Sequence, residues 1–208
     1  MSKFVQSLRV LLVVAVFALA GRAHAAFDVF IQFTSDNGDS TPKVEGDSND
    51  STFKASDGWC EIKGITFGIE NTLNIGSATT GAGAGKAKFN EIALDIGPGS
   101  LANSLFVTCA MGGHYKTVKI VFRKAGAAAK GAGPGANSGV FLEIELGLVG
   151  VKSEEFAASS GDDLPVTKVT LMCGSMKMTY RKQDANGKIL DTKGTSVSWD
   201  STTNSPGK

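Results

Sequence analysis

The chain shows repeated alternation of apolar and polar residues after residue 26, and this pattern predicts a series of β-strands. The rows of alternate apolar residues are Phe27, Val29, Ile31 and Phe33; Ile65, Phe67 and Ile69; Ile92, Leu94 and Ile96; Val118, Ile120 and Phe122; and Val140, Leu142, Ile144, Leu146 and Leu148. Short runs with one apolar face are typical of antiparallel sheets wrapped on a single core. The pattern therefore predicts a mainly β protein, built as an antiparallel β-barrel or sandwich.

A further alternating segment changes phase near Gly174 and Ser175. Its apolar residues stand at odd positions up to Cys173 and at even positions from Met176 onward. A one-residue slip in phase beside a glycine is typical of a β-bulge that turns a strand round a corner. We therefore expect a β-bulge at this point.

One segment between two of these rows has the spacing of a helix. Its apolar stripe comprises Leu101, Leu105 and Cys109, with Phe106 beside it. Ser100 is of a residue type that caps helix N-termini, and Gly112 is of the type that ends helices. The sequence predicts one short α-helix that flanks the sheet and buries this stripe.

Long polar connections separate the alternating segments. Residues 35–57 are rich in Asp, Ser, Asn and Gly, and residues 125–139 are rich in Ala and Gly. The aspartates of the first connection include Asp36, Asp39, Asp47 and Asp50. They lack the spacing and the closing glutamate of a calcium-binding loop, so we expect a solvated loop there. Residues 192–208 are expected to form a frayed C-terminal tail.

The first 25 residues have the layout of a secretory signal peptide. Lys3 and Arg9 precede an apolar run over residues 10–20, and Ala23-His24-Ala25 offers a small-residue cleavage site. This run is too short to span a bilayer, which takes about 20 residues. We expect a signal peptide over 1–25, one β-domain over 26–191 and the tail over 192–208. The mature chain is expected to be secreted, periplasmic or extracellular, without a membrane span; an uncleaved anchor or a misassigned start codon is the alternative.

Charge excludes one class of partner. The full chain has 21 basic and 20 acidic residues, and loss of residues 1–25 removes three of the basic ones and none of the acidic ones. The mature chain is then slightly acidic, whereas binding to phosphates needs a net basic face. We expect no nucleic-acid partner.

Candidate chemistry is sparse. His24 leaves with the signal peptide, so His114 is the one histidine of the mature chain, which excludes a multi-histidine metal site. Residues 81–86 resemble a phosphate-binding loop, but Thr80 and Ala87 stand where that motif needs a glycine and a hydroxyl residue. No pair of carboxylates and no activated nucleophile has usable spacing. We expect no cofactor, no metal and no enzymatic activity.

Three cysteines remain after cleavage, Cys60, Cys109 and Cys173. An oxidising compartment would favour one disulfide and one leftover thiol. Each cysteine nevertheless stands at an apolar position, where a free thiol behaves as a small hydrophobe. The sequence favours three free buried thiols over a disulfide, although spacing alone does not decide between them.

Four stretches carry a resemblance to a known family. They are Phe89 to Gly126, which joins a strand, the helix and a second strand; CAMGGHYKTVKIVFRKAG from Cys109; LPVTKVTLMCGSMKMTYRKQDANGK from Leu164; and Trp199-Asp200 near the end. These stretches resemble the Hcp family, the haemolysin-coregulated proteins of type VI secretion systems. The chain departs from the family where Gly97-Pro98-Gly99 replaces a usual lysine and aspartate, and where the loop over 127–139 is longer than the expected hairpin turn.

The resemblance implies a phage tail-tube-like β-barrel with one flanking helix. It also implies a homo-hexameric ring that stacks into a hollow tube, with effector cargo in the lumen and with sheath and spike proteins as partners. By position, Thr66 matches a lumen-facing residue that contacts cargo, and Gly38, Asp39 and Ser40 match a ring-contact loop. Because machine tubes assemble in the cytoplasm, the export signal leaves an alternative, an exported relative that forms an extracellular fibre or an adhesive surface structure.

Overall fold

The computed structural model describes residues 27–36, 40–71, 87–124, 139–161, 164–184 and 187–207. The elements in these ranges are β1 (Phe27–Thr34), a 3-10 helix (Ala55–Asp57), β2 (Trp59–Ile62), β3 (Gly64–Thr66), β4 (Ile69–Asn71), β5 (Ala87–Phe89), β6 (Ile92–Ile96), α1 (Ser100–Met111), β7 (His114–Lys124), β8 (Val140–Ala157), β9 (Val166–Tyr180), β10 (Thr195–Asp200) and β11 (Ser205–Pro206). Most of them are strands, as the alternating pattern predicts.

The main sheet closes on itself. Its strands pair in the order β11, β10, β9, β8, β7, β1, β2, and every pairing is antiparallel. β3 follows β2 directly and pairs with β6, and β6 pairs with the first half of β9. Between β2 and β3, the Lys63 N–H donates to the Asp95 carbonyl at 2.9 Å. The result is an antiparallel barrel with one α-helix among the described residues, which confirms the predicted fold class.

The barrel interior is the main hydrophobic core, and alternate strand residues fill it. The residues with no exposed surface there include Ile31, Leu94, Val118, Ile120, Leu146, Val169 and Leu171. β-Branched and aromatic residues suit such strands because their side chains pack well on a pleated surface. Phe27, predicted to share the buried face of β1, is one exception, because it is the first residue of the strand and is 57 % exposed.

α1 packs one face against the barrel core and against β8. Its buried residues are Leu101, Ala102, Leu105 and Thr108. The predicted serine cap is wrong, because Gly99 is the N-cap and the Ser100 hydroxyl donates to the Glu45 carbonyl at 2.6 Å. Phe106 is 64 % exposed, because it lies about 100° round the helix from the buried Leu105. Gly112 ends the helix with a left-handed φ of 68°, as predicted.

β8 and β9 change the face that they bury at the same point. Leu148 has a φ of 50° and is 56 % exposed, and it lies opposite Gly174. The pairs on either side are Leu146 with Met176 and Val149 with Cys173. The register is the same for both pairs and shifts only later in β8, between Val151 and Ser153. The β-bulge predicted at Gly174 and Ser175 is therefore wrong, since both strands kink together without an extra residue in either.

Residues 41–58, which we call the strap, cover the outer face of β1 and β7. The strap contributes Phe53 to a second hydrophobic cluster, which comprises Phe30, Phe53, Trp59, Val121 and Val140. The N–H groups of Asp47 and Ser48 both donate to the Trp59 carbonyl, at 3.1 and 3.0 Å. This covers the edge of β2 that faces away from β1. The segment expected to be a solvated loop is instead packed against the sheet.

The chain remains ordered in the sheet after residue 192. β10 pairs with the second half of β9 over six residues, and β11 pairs with the end of β10. Trp199 lies opposite Met176. Residues 195–207 therefore belong to the sheet edge, in place of the expected frayed tail.

Candidate functional site

Thr66, the expected cargo contact, ends β3 and is exposed. Ile65 beside it packs against the barrel core, so the Thr66 side chain points to the outside of the barrel. Its partner across the strand pair is Ala93, which is exposed as well. Thr66 thus lies on an outer surface that a partner can reach, and its contact with cargo stays a prediction.

The expected ring-contact loop is described only in part. Gly38 and Asp39 lie outside the described residues. Ser40 is exposed and directly precedes the strap, whose first residue, Thr41, is buried. Ser40 is therefore a surface residue at the point where the chain enters a well-packed segment.

An apolar groove lies between the β4–β5 hairpin and the strands β9 and β10. Its volume is about 380 Å³. The apolar residues lining it include Phe67, Ile69, Met176, Met178, Val197 and Trp199. Ile69 and Val197 are 58 % and 60 % exposed at its margin. An apolar concavity of this size with two adaptable methionines is typical of a binding surface. We call it the β10 groove.

β10 borders this groove with a free strand edge. The Ser198 carbonyl accepts a hydrogen bond from the Gly207 N–H at 3.1 Å, so the Ser198 backbone faces away from β9. Ser196, two residues earlier, has the same orientation. No strand in the described part of the chain pairs with Ser196 on that side. Such unpaired N–H and C=O groups are ready to pair with another strand.

β8 has a second free edge at its far end. β7 pairs with β8 only as far as Gly150, whereas β8 continues to Ala157 with β9 on its other side. Residues 155–157, which we call the β8 arm, are exposed, and Phe156 is 67 % exposed. The arm therefore presents a large apolar side chain on a strand that has one unpaired edge among the described elements.

Arg123 in β7 joins the strap to the sheet. Its guanidinium donates to the Asp50 carboxylate at 3.0 and 2.7 Å and to the Asp28 carboxylate at 2.9 Å. It also lies over the rings of Phe30 and Phe53, 5.0 and 5.6 Å from their centroids. The Arg123 side chain is 5 % exposed. A buried cation with two carboxylates and two aromatic faces is a structural junction that holds the strap in place.

The junction determines the charge state of Asp50. Burial by itself would raise the pKa of this carboxyl, but hydrogen bonds from Arg123 and from the N–H groups of Phe53 and Thr52 outweigh it and hold the pKa at about 2. Burial likewise opposes the charge of Arg123, and its bonds to Asp50 and Asp28 raise its pKa. Asp50 is therefore an ionised partner of Arg123, and its carboxylate is already occupied in this structure.

The three cysteines are free. Cys60 is buried, and Cys109 and Cys173 are half-buried. Burial is the main cause that raises the pKa of Cys60 to about 12 and that of Cys173 to about 11. The interpretation as small hydrophobic residues is confirmed for these positions, since all three belong to or pack against the core.

The remaining candidates for chemistry stand apart from one another. His114 is exposed at the first position of β7, directly after the glycine turn. Residues 81–86 lie outside the described residues, and Ala87 begins a strand where a phosphate loop would begin a helix. Among the described residues there is no group of three or more potential metal ligands, and no helix there is long and apolar enough to cross a membrane.

The sequence did not predict the β10 groove or the two free edges. Alternation does place Val197 and Trp199 on one face of a strand, which is a signal that residues 195–200 belong to a sheet. A free edge, however, depends on where the neighbouring strand stops. β7 leaves β8 at Gly150, and nothing in the sequence of β8 marks that point.

The comparisons with known proteins agree with this architecture. A family model described as type VI secretion system effector, Hcp, matches residues 30–180. This range begins in β1 and ends at the last residue of β9. It therefore contains the strap, the closed barrel and α1. No curated protein sequence matches the chain.

Solved structures show the same fold. A structure of a type six secretion system protein is 23 % identical, with a TM-score of 0.71, and the match covers 88 % of this chain and 100 % of that one. Hcp1 from Salmonella typhimurium is 18 % identical, with a TM-score of 0.59, and the match covers 87 % and 99 % of the two chains. A type VI secretion system effector from Yersinia pestis is 18 % identical, with a TM-score of 0.55 and coverages of 83 % and 99 %.

Proposed function

The chain belongs to the Hcp family of type VI secretion system effectors, and we propose that it is a structural subunit whose hexameric rings stack into a hollow tube for effector delivery. The observation that carries this proposal is the family match over residues 30–180. It extends from within β1 to the end of β9 and includes the flanking helix, whereas β10 and β11 lie beyond it. The proposed role is architectural, not enzymatic.

The free edges of the protomer support an assembly. Natural proteins cover or shorten exposed strand edges, because an open edge pairs indiscriminately with other chains. This chain covers the edge of β2 with the strap, yet it leaves free edges at Ser196 and at the β8 arm. A ring of sister subunits would satisfy such edges, since heterologous contacts that close make rings.

The proposed tube implies three kinds of partner besides the sister subunits, namely effector, sheath and spike proteins. Effector proteins travel in the lumen, where Thr66 contacts them from the outer surface of β3. A sheath protein surrounds the tube, and a spike protein forms its tip. Gly38, Asp39 and Ser40 belong to a loop that contacts a neighbouring subunit. The exposed positions of Thr66 and Ser40 are compatible with these roles.

Electron microscopy tests the assembly. We expect purified mature chain, beginning at residue 26, to form rings with six-fold symmetry in negative stain, and we expect short stacks at high protein concentration. The reason is that two free edges on each protomer are satisfied only by other copies. Monomers that persist at high concentration, measured by light scattering, would contradict the proposal.

The N-terminal sequence favours a second candidate, an exported relative that forms an extracellular fibre or an adhesive surface structure. Residues 1–25 have the order of a charged region, an apolar region and a small-residue cleavage site. A chain exported singly does not meet the sheath in the cytoplasm.

The location of the processed chain separates the two candidates. For the tube subunit we expect release from cells to stop when the sheath genes are deleted, because the contracting sheath drives the tube outward. Immunoblots of the medium, with a periplasmic marker as control for lysis, measure this release. Processed chain that still reaches the medium in the deletion strain would support the exported fibre instead.

A further inference from the structure

The two free edges lie on different parts of the protomer. β10 pairs with Ser175 to Tyr180 of β9, whereas the β8 arm pairs with residues 166–168 at the other end of the same strand. The nearest positions, 168 and 175, are seven residue steps apart, which corresponds to roughly 23 Å along β9. The β8 arm of a protomer therefore cannot fill its own β10 groove.

The two surfaces are complementary in chemistry. The β10 groove is an apolar concavity beside Ser196, whose outer backbone groups pair with no strand in the described ranges. The β8 arm is an extended segment whose outer edge likewise pairs with none of the described strands, and it carries Phe156, which is 67 % exposed. An added strand binds through main-chain hydrogen bonds, and pockets for its alternate side chains provide specificity. The β8 arm therefore matches the β10 groove in two respects, as a strand that can be added to the edge and as the carrier of an apolar side chain.

Burial of both surfaces removes large apolar side chains from water. Phe156, Val197 and Ile69 are each more than half exposed in the protomer. An exposed aromatic side chain that enters an apolar pocket is the usual anchor of a protein interface. The groove volume of about 380 Å³ gives room for one aromatic ring.

We infer that the β8 arm of one copy docks in the β10 groove of the next copy, with Phe156 as the anchor and with the arm added as a strand to the free edge of β10. This inference rests on the proposed ring function and names the surfaces that form the ring. The contact is heterologous, because each protomer uses a different surface for each of its two neighbours. Repetition of the contact closes a ring without leaving either edge free.

Two substitutions test the contact, Phe156→Asp in the arm and Val197→Asp in the groove. Each places a charge in an apolar contact, and each changes a side chain that is exposed in the protomer, so the fold is preserved. Thermal unfolding of each variant checks this. We expect each variant alone to be monomeric by native mass spectrometry, with the ring fraction reduced by about tenfold or more.

The mixture of the two variants is the decisive sample. The intact arm of Val197→Asp and the intact groove of Phe156→Asp can form one contact between them, so we expect a heterodimer that grows no further. The matched control is Phe106→Asp on α1, a phenylalanine of similar exposure that belongs neither to the β8 arm nor to the lining of the β10 groove. We expect this control to form rings like the unchanged chain.

The outcomes distinguish this inference from the proposed function. Rings in either single variant, or a mixture that stays monomeric, would overturn the docking of the arm while the ring function stands. Failure of the unchanged chain to form rings would instead contradict the proposed function itself.

Discussion

The Arg123→Met variant is expected to lower the free energy of unfolding by about 3–5 kcal/mol, because it removes the cation from a buried ion pair and leaves its carboxylates without compensation. Most of this loss is expected at Asp50, because its side chain is only 15 % exposed and accepts two hydrogen bonds from the guanidinium. Methionine keeps the apolar stem of the arginine, so the substitution removes chiefly the guanidinium and its contacts. Urea denaturation followed by tryptophan fluorescence measures the loss, because Trp59 lies in the cluster beneath the strap.

The matched control is Lys116→Met. Lys116 pairs with Asp36 at 3.1 Å, but the two side chains are 63 % and 47 % exposed. Surface ion pairs of this kind contribute between about 0 and 1 kcal/mol. An Arg123→Met variant as stable as this control would show that the junction does not hold the strap.

The same junction gives a dependence on pH with a definite sign. The pKa of Asp50 is lowered from 3.8 to about 2 in the folded chain, so its stabilising contribution is fully present above about pH 4 and disappears as the pH falls through 2. The contribution corresponds to roughly 2 kcal/mol. We expect acid unfolding of the unchanged chain to be steeper between pH 4 and 2 than that of Arg123→Met, which lacks the hydrogen bonds and the charge of Arg123 that lower the pKa of Asp50.

The second large effect is expected for Leu105→Ala in α1. Leu105 has no exposed surface and belongs to the barrel core, and truncation of such a leucine costs about 2–5 kcal/mol through lost burial and the cavity left behind. The midpoint of urea unfolding measures the change. We expect the slope of the transition to stay the same, because the variant exposes a similar surface when it unfolds.

Phe106→Ala, one residue further along the same helix, is the control. Its side chain is 64 % exposed, so we expect a change within about 0.5 kcal/mol. Similar losses for the two variants would contradict the orientation of α1 on the barrel. Phe106 is the larger residue, so a ranking by residue type alone would reverse the two effects.

The local elements were predictable because each depends on the chemistry of neighbouring residues. Alternation located the strands, and the spacing of Leu101 and Leu105 located the helix. The rotation of the helix about its own axis, which decides the residues that face the barrel, was not predictable to within one residue. Leu101 and Leu105 are buried as predicted and Cys109 packs against the core, but the buried face also contains Ala102 and Thr108, and Phe106 is exposed.

The second hydrophobic cluster was missed because it lies on the opposite face of the same strands. Phe30 interrupts the alternation of β1, and Val121 interrupts that of β7. Consecutive apolar residues of this kind indicate a strand that is buried on both faces. That signal is present in the sequence and is typical of a sheet whose outer face is covered, but the sequence analysis did not use it.

The partner that covers it could not be inferred from the sequence. Arg123 meets Asp50 and Asp28 across separations of 73 and 95 residues. No periodicity relates positions so far apart, and the intervening segment is polar enough to resemble a solvated loop. The groove and the free edges depend in the same way on strand ends that come together only after the barrel has closed.

The raised pKa values of Cys60 and Cys173 have a consequence for the proposed export of the chain. Cys60 and Cys173 have pKa values raised to about 12 and 11, so almost none of either is thiolate at neutral pH, and thiolate is the form that attacks a disulfide. Neither residue is a target for glutathione or for an oxidase of the cell envelope. Passage from a reducing to an oxidising compartment is therefore expected to leave Cys60 and Cys173 as free thiols.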